Sequence, residues 1–344
     1  MVTVAVDAGG ADLGPAEVAA GATSAAADGA VRVLLYGPAS EIGEVGDGVE
    51  VIDAPVSIAK ASDPAHAVRS TPDASIVRAA KAVADGHAQA LVSGGSTGSA
   101  LAAGLFNIRR DRGIYRPSLA LPLPMLDGPP VLLLDVGANV SCRPEHLVQF
   151  AHMGSAFSHA VLGRERPRVA LLSNGEEPNK GTPDIVFVHE QLSGNVGTGL
   201  NFIGNIEGTR ITDGVADVVV MDGFTGNIAL KLIEGVSDRT LRGLHEAASR
   251  SRRGRFGGRL LQAAIEQLRD DIDPERPGGA YLLGLRKLGV VAHGRFTHHG
   301  FERAITVAAR GVEEHVIGAT REALATAGAL RSPVQGREEE VDAR

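Results

Sequence analysis

With 344 residues, 44% of them hydrophobic and 22% charged, the chain is long enough to bury a sizeable core and has the balance of a globular protein. A net charge of −7, no Trp and only 3% aromatic residues argue against a nucleic-acid surface, which needs positive charge and aromatic platforms. The single cysteine, Cys142, excludes an internal disulfide and any multi-cysteine zinc site.

The amino-terminal MVTVAVDAGG enters a strand at once with no basic stretch before it, so no signal peptide is expected. No apolar run reaches the roughly 18 residues of a membrane span, and a cytoplasmic location follows as the expectation. Strand-like runs at 2–7, 31–36, 49–53, 90–93, 131–135, 169–173, 201–206 and 218–222 alternate with helical patterns. The helical patterns lie at 15–27, 75–85, 97–109, 145–162, 184–192, 227–250 and 301–327. Such alternation predicts an α/β protein with a doubly wound, mostly parallel sheet. No Pro- or Ser-rich linker divides the chain, so residues 1–330 are read as one domain. Residues 331–344 are charged, poor in apolar residues and read as a disordered tail.

One pattern recurs along the chain: a short apolar run, then Asp or Ser, then glycine, then a helix. It appears as VAVDAGGAD from Val4, ALVSGGSTG from Ala90, VLLLDVGAN from Val131 and VVVMDGFTGN from Val218, with a looser copy, VALLSNGEE, from Val169. Ligands of parallel sheets collect beyond the carboxyl ends of the strands. Glycine there lets backbone N–H groups approach an anion, and a helix N-terminus adds partial positive charge. The expectation is four or five mouths on one crevice, taking a small phosphate-bearing ligand. In DGFTGN, Gly223 and Gly226 flank Thr225, a hydroxyl donor, and Asn227 opens a helix; a plain turn with an N-cap fits the same residues. DVGAN, 135–139, has the same grammar and the same two readings. Lys180, in SNGEEPNKGT, is placed to act as a point charge on a phosphate or oxyanion, although N-K-G-T is not a phosphate-loop sequence.

Between 238 and 275 the composition turns basic and amphipathic. Arg239, Arg242, Arg250, Arg252, Arg253, Arg255 and Arg259 precede an apolar stripe of Leu260, Leu261, Ala264, Ile265 and Leu268. This protruding helical segment suits an anionic partner, either a lipid surface or an acidic carrier protein. A solvated helical hairpin packing within a dimer fits it as well.

Other chemistries leave weaker traces. Gly94-Gly95-Ser96-Thr97-Gly98 matches G-x-S-x-G between a strand and a helix, and Asp135, Asp222 and then His293, His298 or His299 follow in the order of a serine hydrolase. The histidines of AHGRFTHHG lack the H-E-x-x-H spacing of a zinc site, and no G-x-G-x-x-G is present. No cofactor or metal is therefore expected. Cys142 has no evident catalytic partner.

Together, VDAGGADLGP, the GGSTG loop, LLLDVGANVSCRPEHLVQFAHMGS, NKG, NFIGNIEG, DVVVMDGFTGNIALKLIEG, GGAYLLGL and AHG resemble the bacterial PlsX-type phosphate acyltransferases, from residue 2 to about 327. The resemblance implies an α/β/α sandwich like those of phosphate acetyltransferases and isocitrate-dehydrogenase-like enzymes. It implies transfer of a fatty acyl group from acyl carrier protein to inorganic phosphate, giving an acyl phosphate for phospholipid synthesis. It also implies a homodimer in peripheral contact with the membrane. Lys180 and Asn227 are then the catalytic candidates, on phosphate or oxyanion and on the thioester oxygen respectively. The binding candidates are Asp7, Gly10, Asp12, Ser93, Gly94, Ser96, Thr97, Gly98, Asp135, Asn139, Asp222, Gly223, Thr225, Gly226 and His293, with the aspartates chiefly orienting loops. The seven arginines would meet the carrier or the bilayer. A non-catalytic carrier-binding protein is the alternative from another class.

The chain departs from the family's usual pattern at the mouths. Where the family reads D-A-M-G-G-D-H-A-P, this chain has Asp7-Ala8-Gly9-Gly10-Ala11-Asp12-Leu13-Gly14-Pro15. S-A-G-N-T-G-A has become Ser93-Gly94-Gly95-Ser96-Thr97-Gly98-Ser99, and Ser70-Thr71-Pro72-Asp73 replaces the basic pair after Arg69. These changes place altered acyl or acceptor specificity among the readings.

Overall fold

The structure is a computed structural model that describes residues 1–126, 128–194, 199–273 and 275–331; of Arg252 and Gly254 only the place in their helix is described. The tail expected to be disordered therefore lies, from residue 332, outside the described residues.

The strands are β1 (Val2–Asp7), β2 (Val31–Gly37), β3 (Val49–Asp53), β4 (Ala90–Ser93), β5 (Ser118–Leu123) and β6 (Val131–Leu134). β7 (Arg168–Leu172), β8 (Asn201–Ile206), β9 (Val218–Val220), β10 (Ala280–Leu283) and β11 (Leu288–Val291) complete them. The helices in the first half of the chain are α1 (Pro15–Ala26), α2 (Ala39–Ile42), α3 (Pro64–Ser70), α4 (Ser75–Ala84) and α5 (Thr97–Ala103), the last running into one π-helical stretch, Gly104–Ile108. α6 (Pro144–Ala160), α7 (Pro183–Gly194), α8 (Gly223–Ser249), α9 (Arg252–Asp271), α10 (His298–Glu313) and α11 (Val316–Thr326) follow. The long helix expected over 301–327 is two helices, because the chain breaks at His315, whose φ of 52° lies in the left-handed region.

All strands join one 11-stranded sheet in the order β3-β2-β1-β4-β11-β10-β5-β6-β9-β7-β8. Its central strands are apolar and buried on both faces, as a doubly covered sheet requires. Val4, Val6, Leu132, Leu134, Val218 and Val220 point to a layer built from α1, α6, α7, α10 and α11. Ala5, Leu91, Leu133 and Val219 point to the other layer, with α3, α4, α5 and the start of α8. The α/β, mostly parallel, doubly wound architecture is thus present.

One expectation fails. β11–β10, β10–β5 and β5–β6 are antiparallel, and all other pairings are parallel. Three reversals make β6, β9, β7 and β8 run opposite to β1–β4 and β11, so the glycine mouths do not line one sheet edge. They form two clusters.

Beyond Ile233, after Ala229, Leu230 and Ile233 have packed on the core, α8 leaves it. Only Gly223 and Gly226 are buried in α8, and α9, which packs against α8, buries nothing among its described residues. None of the helices described is long and apolar enough to cross a membrane.

Candidate active site

The first cluster forms at the ends of β1 and β4. The Asp7 carboxylate, 3% exposed, accepts hydrogen bonds from Ser75 Oγ (2.6 Å), Ser93 Oγ (2.9 Å) and Gly9 N–H (3.0 Å). Burial raises its pKa, and those donors pull the other way. Ser93 Oγ in turn accepts from Gly95 N–H at 3.1 Å. A Cβ on Gly10 would stand 2.4 Å from Gly95 Cα and 2.8 Å from Ala59 Cβ, so the two loops touch only because both lack side chains. Lys60, exposed, follows Ala59 on this rim. Asp12 N–H donates to the Gly294 carbonyl (2.8 Å), which brings the loop after β11 onto the cluster.

Ser96 is the N-cap of α5. Its Oγ accepts from Ser99 N–H at 3.2 Å and donates to Ser99 Oγ at 2.9 Å. Its backbone, at φ −70° and ψ 143°, is relaxed rather than the strained turn of a nucleophile elbow. The serine-hydrolase alternative is corrected on this point: the hydroxyl is spent on capping. Thr97 and Gly98 form the first turn of α5, with Gly98 close against Pro64.

The second cluster, at β6 and β9, is more tightly locked. Asp135, fully buried, accepts five hydrogen bonds: Leu119, Gly137 and Ala138 N–H on Oδ1, and Asn139 N–H and Nδ2 on Oδ2, all between 2.8 and 3.1 Å. Burial still places its pKa above the ordinary value. Asn139 Nδ2 also reaches the Pro117 carbonyl (2.7 Å), and the Asn139 carbonyl accepts from Gly223 N–H (2.8 Å). Asp222 caps α8, taking Thr225 N–H (2.9 Å) and Thr225 Oγ1 (2.7 Å), so the threonine hydroxyl is engaged within its own turn. Asn227, half-buried, stands above Gly137: a Cβ there would lie 3.8 Å from Asn227 Cγ, and the φ of 139° suits glycine.

Lys180 is exposed on the loop after β7, the parallel neighbour of β9. The Glu177 carbonyl accepts both Lys180 N–H (3.0 Å) and Asn205 Nδ2 (2.9 Å), and Asn205 Oδ1 pairs with His189 Nδ1 at 3.0 Å. A chain from α7 through β8 thus fixes the loop that presents the lysine. His293, after β11, lies within electrostatic reach of Asp12 in the first cluster and of Lys231 and Glu234 on α8. Desolvation first, then the Arg295 charge, hold its imidazole below the ordinary pKa. Since α8 begins in the second cluster and passes His293, it is the element that connects the two.

Sequence reasoning did not find Ser75, Lys60, Asn205 or Arg116. Arg116 precedes β5, beside the second cluster. Cys142, near Asp135, Asp222 and Arg116, has its thiol pushed by burial to about 12, so it is no thiolate. Of the basic residues, Arg239 pairs with Glu246 at 3.6 Å and Arg242 with Asp238, and Arg255 donates to the Ser249 carbonyl at 3.3 Å. Arg250, Arg253 and Arg259 are exposed, and the Arg252 side chain lies outside the described residues.

The fold is similar to a phosphotransacetylase from Streptococcus pyogenes (TM-score 0.60, 17% identity, covering 91% of this chain and 94% of that one). It is also similar to a branched-chain phosphotransacylase from Enterococcus faecalis V583 (TM-score 0.54, 16% identity, covering 91% and 100%). In sequence, the chain is 39% identical over 322 residues to the phosphate acyltransferase of Moorella thermoacetica, covering 92% of this chain and 94% of that protein. It is 40% identical over 320 residues to that of Pelotomaculum thermopropionicum, covering 91% and 92%. The model of the family described as "Fatty acid synthesis protein" matches residues 2–319. The chain belongs to this family, the PlsX-type phosphate acyltransferases, whose reaction is acyl transfer to phosphate.

Proposed function

We propose that the protein moves a fatty acyl group from the thioester of acyl carrier protein to inorganic phosphate. A phosphate oxygen attacks the thioester carbonyl, the C–S bond breaks, and the products are an acyl phosphate and the carrier thiol. The observation that carries this reading is the arrival of Lys180 and Asn227 at one sheet edge from the adjacent parallel strands β7 and β9, beside the locked loop 135–139. Lys180 neutralises the phosphate or the developing oxyanion, and Asn227 Nδ2 donates to the thioester oxygen. No side-chain nucleophile is needed: Ser96 is a cap, Cys142 stays a thiol, and phosphate attacks directly once oriented. The amides of the Gly10 and Gly94–Gly98 loops supply further anion contacts, and α8 carries the link between the clusters.

Within the same reading, two copies pair through α8 and α9. Phe224, Ile228, Leu232 and Val236, four residues apart on α8, are each at least half exposed in one chain. Arg250, Arg253 and Arg259 with Phe256, Leu260 and Leu261 meet the acidic carrier or the anionic face of a membrane.

The test incubates the protein with carrier proteins bearing different acyl groups, with and without phosphate, and follows acyl phosphate by mass spectrometry. Acyl phosphate that forms only with phosphate and falls steeply in Lys180→Ala supports the proposal; thioester loss indifferent to phosphate overturns it.

A further inference from the structure

Arg116 is the cation that the proposed reaction has not used. It is exposed, and its guanidinium has no ion pair or side-chain hydrogen bond among the described residues. Yet both of its neighbours are pinned. Tyr115 N–H donates to Gln149 Oε1 at 2.8 Å, and the Pro117 carbonyl accepts from Asn139 Nδ2 at 2.7 Å. Two residues further on, Leu119 N–H donates to Asp135 Oδ1 at 3.0 Å. A free arginine on a fixed backbone, beside carboxylates whose oxygens are already taken by Leu119, Asn139 and Thr225, is charge held ready for another anion.

The topology says where that anion sits. The sheet order here is β5-β6-β9-β7, and β5 is antiparallel to β6. The amino end of β5, carrying Arg116, therefore shares an edge with the carboxyl ends of β6, β9 and β7. Arg116, two residues before β5, and Lys180, on the loop eight residues beyond β7, flank the second cluster from its two sides; the ends of β5 and β7 themselves are three strand spacings, roughly 14 Å, apart. Cys142 lies within electrostatic reach of Arg116, Asp135 and Asp222 together, which ties Arg116 to the second cluster.

We propose that Arg116 is a second phosphate-binding cation of this site, closing on a phosphate oxyanion from the rim opposite Lys180. A guanidinium offers a planar fork matched to two phosphate oxygens, which an ammonium does not. The inference rests on the proposed site at Lys180 and Asn227. The phosphate is that of the inorganic acceptor or that on the carrier's prosthetic arm, and the test separates the two.

Wild type, Arg116→Gln, Arg116→Lys and Lys180→Ala are assayed for acyl phosphate formation, varying inorganic phosphate and carrier independently; thermal melts are recorded with and without inorganic phosphate. Because Arg116 is exposed, the Gln variant should melt like wild type in the absence of phosphate. The expected result is a phosphate KM raised about tenfold or more in Arg116→Gln, a smaller rise in Arg116→Lys, and loss of phosphate-induced stabilisation, with the carrier KM within twofold. If only the wild type prefers acyl-phosphopantetheine over acyl-pantetheine, and the Gln variant loses that preference with an unchanged phosphate KM, the bound phosphate is that of the arm. Arg116→Gln within twofold of wild type in every parameter overturns the inference while Lys180→Ala remains impaired. A fully active Lys180→Ala overturns the underlying site instead.

Discussion

A Cβ on Gly226 would fall 1.9 Å from the carbonyl oxygen of Asp135, closer than any non-bonded contact allows. The first turn of α8 is therefore seated directly on the strand end that carries the buried aspartate, and Gly223, whose Cβ would stand 2.6 Å from the Asn139 carbonyl oxygen, seats it a second time. Both obstacles are backbone, which cannot rotate away. Gly226→Ala should cost about 1–3 kcal/mol in denaturant melts, the usual penalty of overpacking. By shifting Asn227 it should also cut turnover about a hundredfold. Wild-type turnover in this variant would mean that the register of α8 does not matter to the reaction.

In the proposed mechanism, Asn205 acts on the reaction only through the Glu177 carbonyl that it shares with Lys180. Asn205→Asp keeps the shape and the oxygen facing His189 but removes the Nδ2 donor. It should lower turnover about tenfold by loosening the loop. In a Lys180→Ala background it should cost nothing further, since a shared mechanism makes the two losses non-additive. Additive losses in the double variant would make Asn205 a structural residue unrelated to the lysine.

The strand ends were legible because buried parallel strands announce themselves as apolar runs stopped by Asp or Ser and glycine. The runs at 2–7, 49–53, 90–93 and 201–206 coincide with β1, β3, β4 and β8. β5, β10 and β11 were not legible. Pro122 interrupts β5, Gly289 interrupts β11, and β10 and β11 are four-residue segments with Gly284 between them, so none shows a sustained run. These three strands reverse the sheet, so the loss of the single crevice follows from them alone. Missing β5 also hid Arg116, which looks like a loop residue until its strand is seen to start at the edge where β6 ends. Asn205 was hidden for a different reason: its partners, His189 and Glu177, lie 16 and 28 residues away, beyond the reach of any local pattern.

Ser96 offers a test that separates capping from catalysis. Removal of the Oγ that accepts Ser99 N–H should destabilise the protein by about 1 kcal/mol, as loss of an N-cap does. Ser96→Ala should keep acyl transfer within about threefold of wild type, because α5 remains anchored by the burial of Ala100, Ala102 and Ala103. A fluorophosphonate should leave wild-type Ser96 unlabelled. Covalent labelling there, with turnover abolished in a normally folded Ala variant, would restore the nucleophile reading.

His152, on α6, sets an acid limit on stability. Its side chain is buried, its Nε2 has no hydrogen-bond partner, and desolvation pulls its pKa from 6.5 down to about 4. The folded state therefore holds the imidazole neutral, whereas the unfolded chain takes up a proton near pH 6.5. A depressed folded pKa means that this contribution is fully present above pH 6.5 and is lost as the pH falls towards 4. The loss amounts to about 2 kcal/mol between pH 8 and pH 5, and about 3 kcal/mol in total, because each tenfold difference in proton affinity between the folded and unfolded imidazole is worth about 1.36 kcal/mol. His152→Leu keeps the site apolar and cannot titrate. Urea melts of the two proteins across this range should converge or cross as the pH falls, wild type losing about 2 kcal/mol more than the variant by pH 5, with all other titrating groups cancelling in the comparison. Parallel pH profiles would show that His152 is protonated, or solvated, in the folded protein.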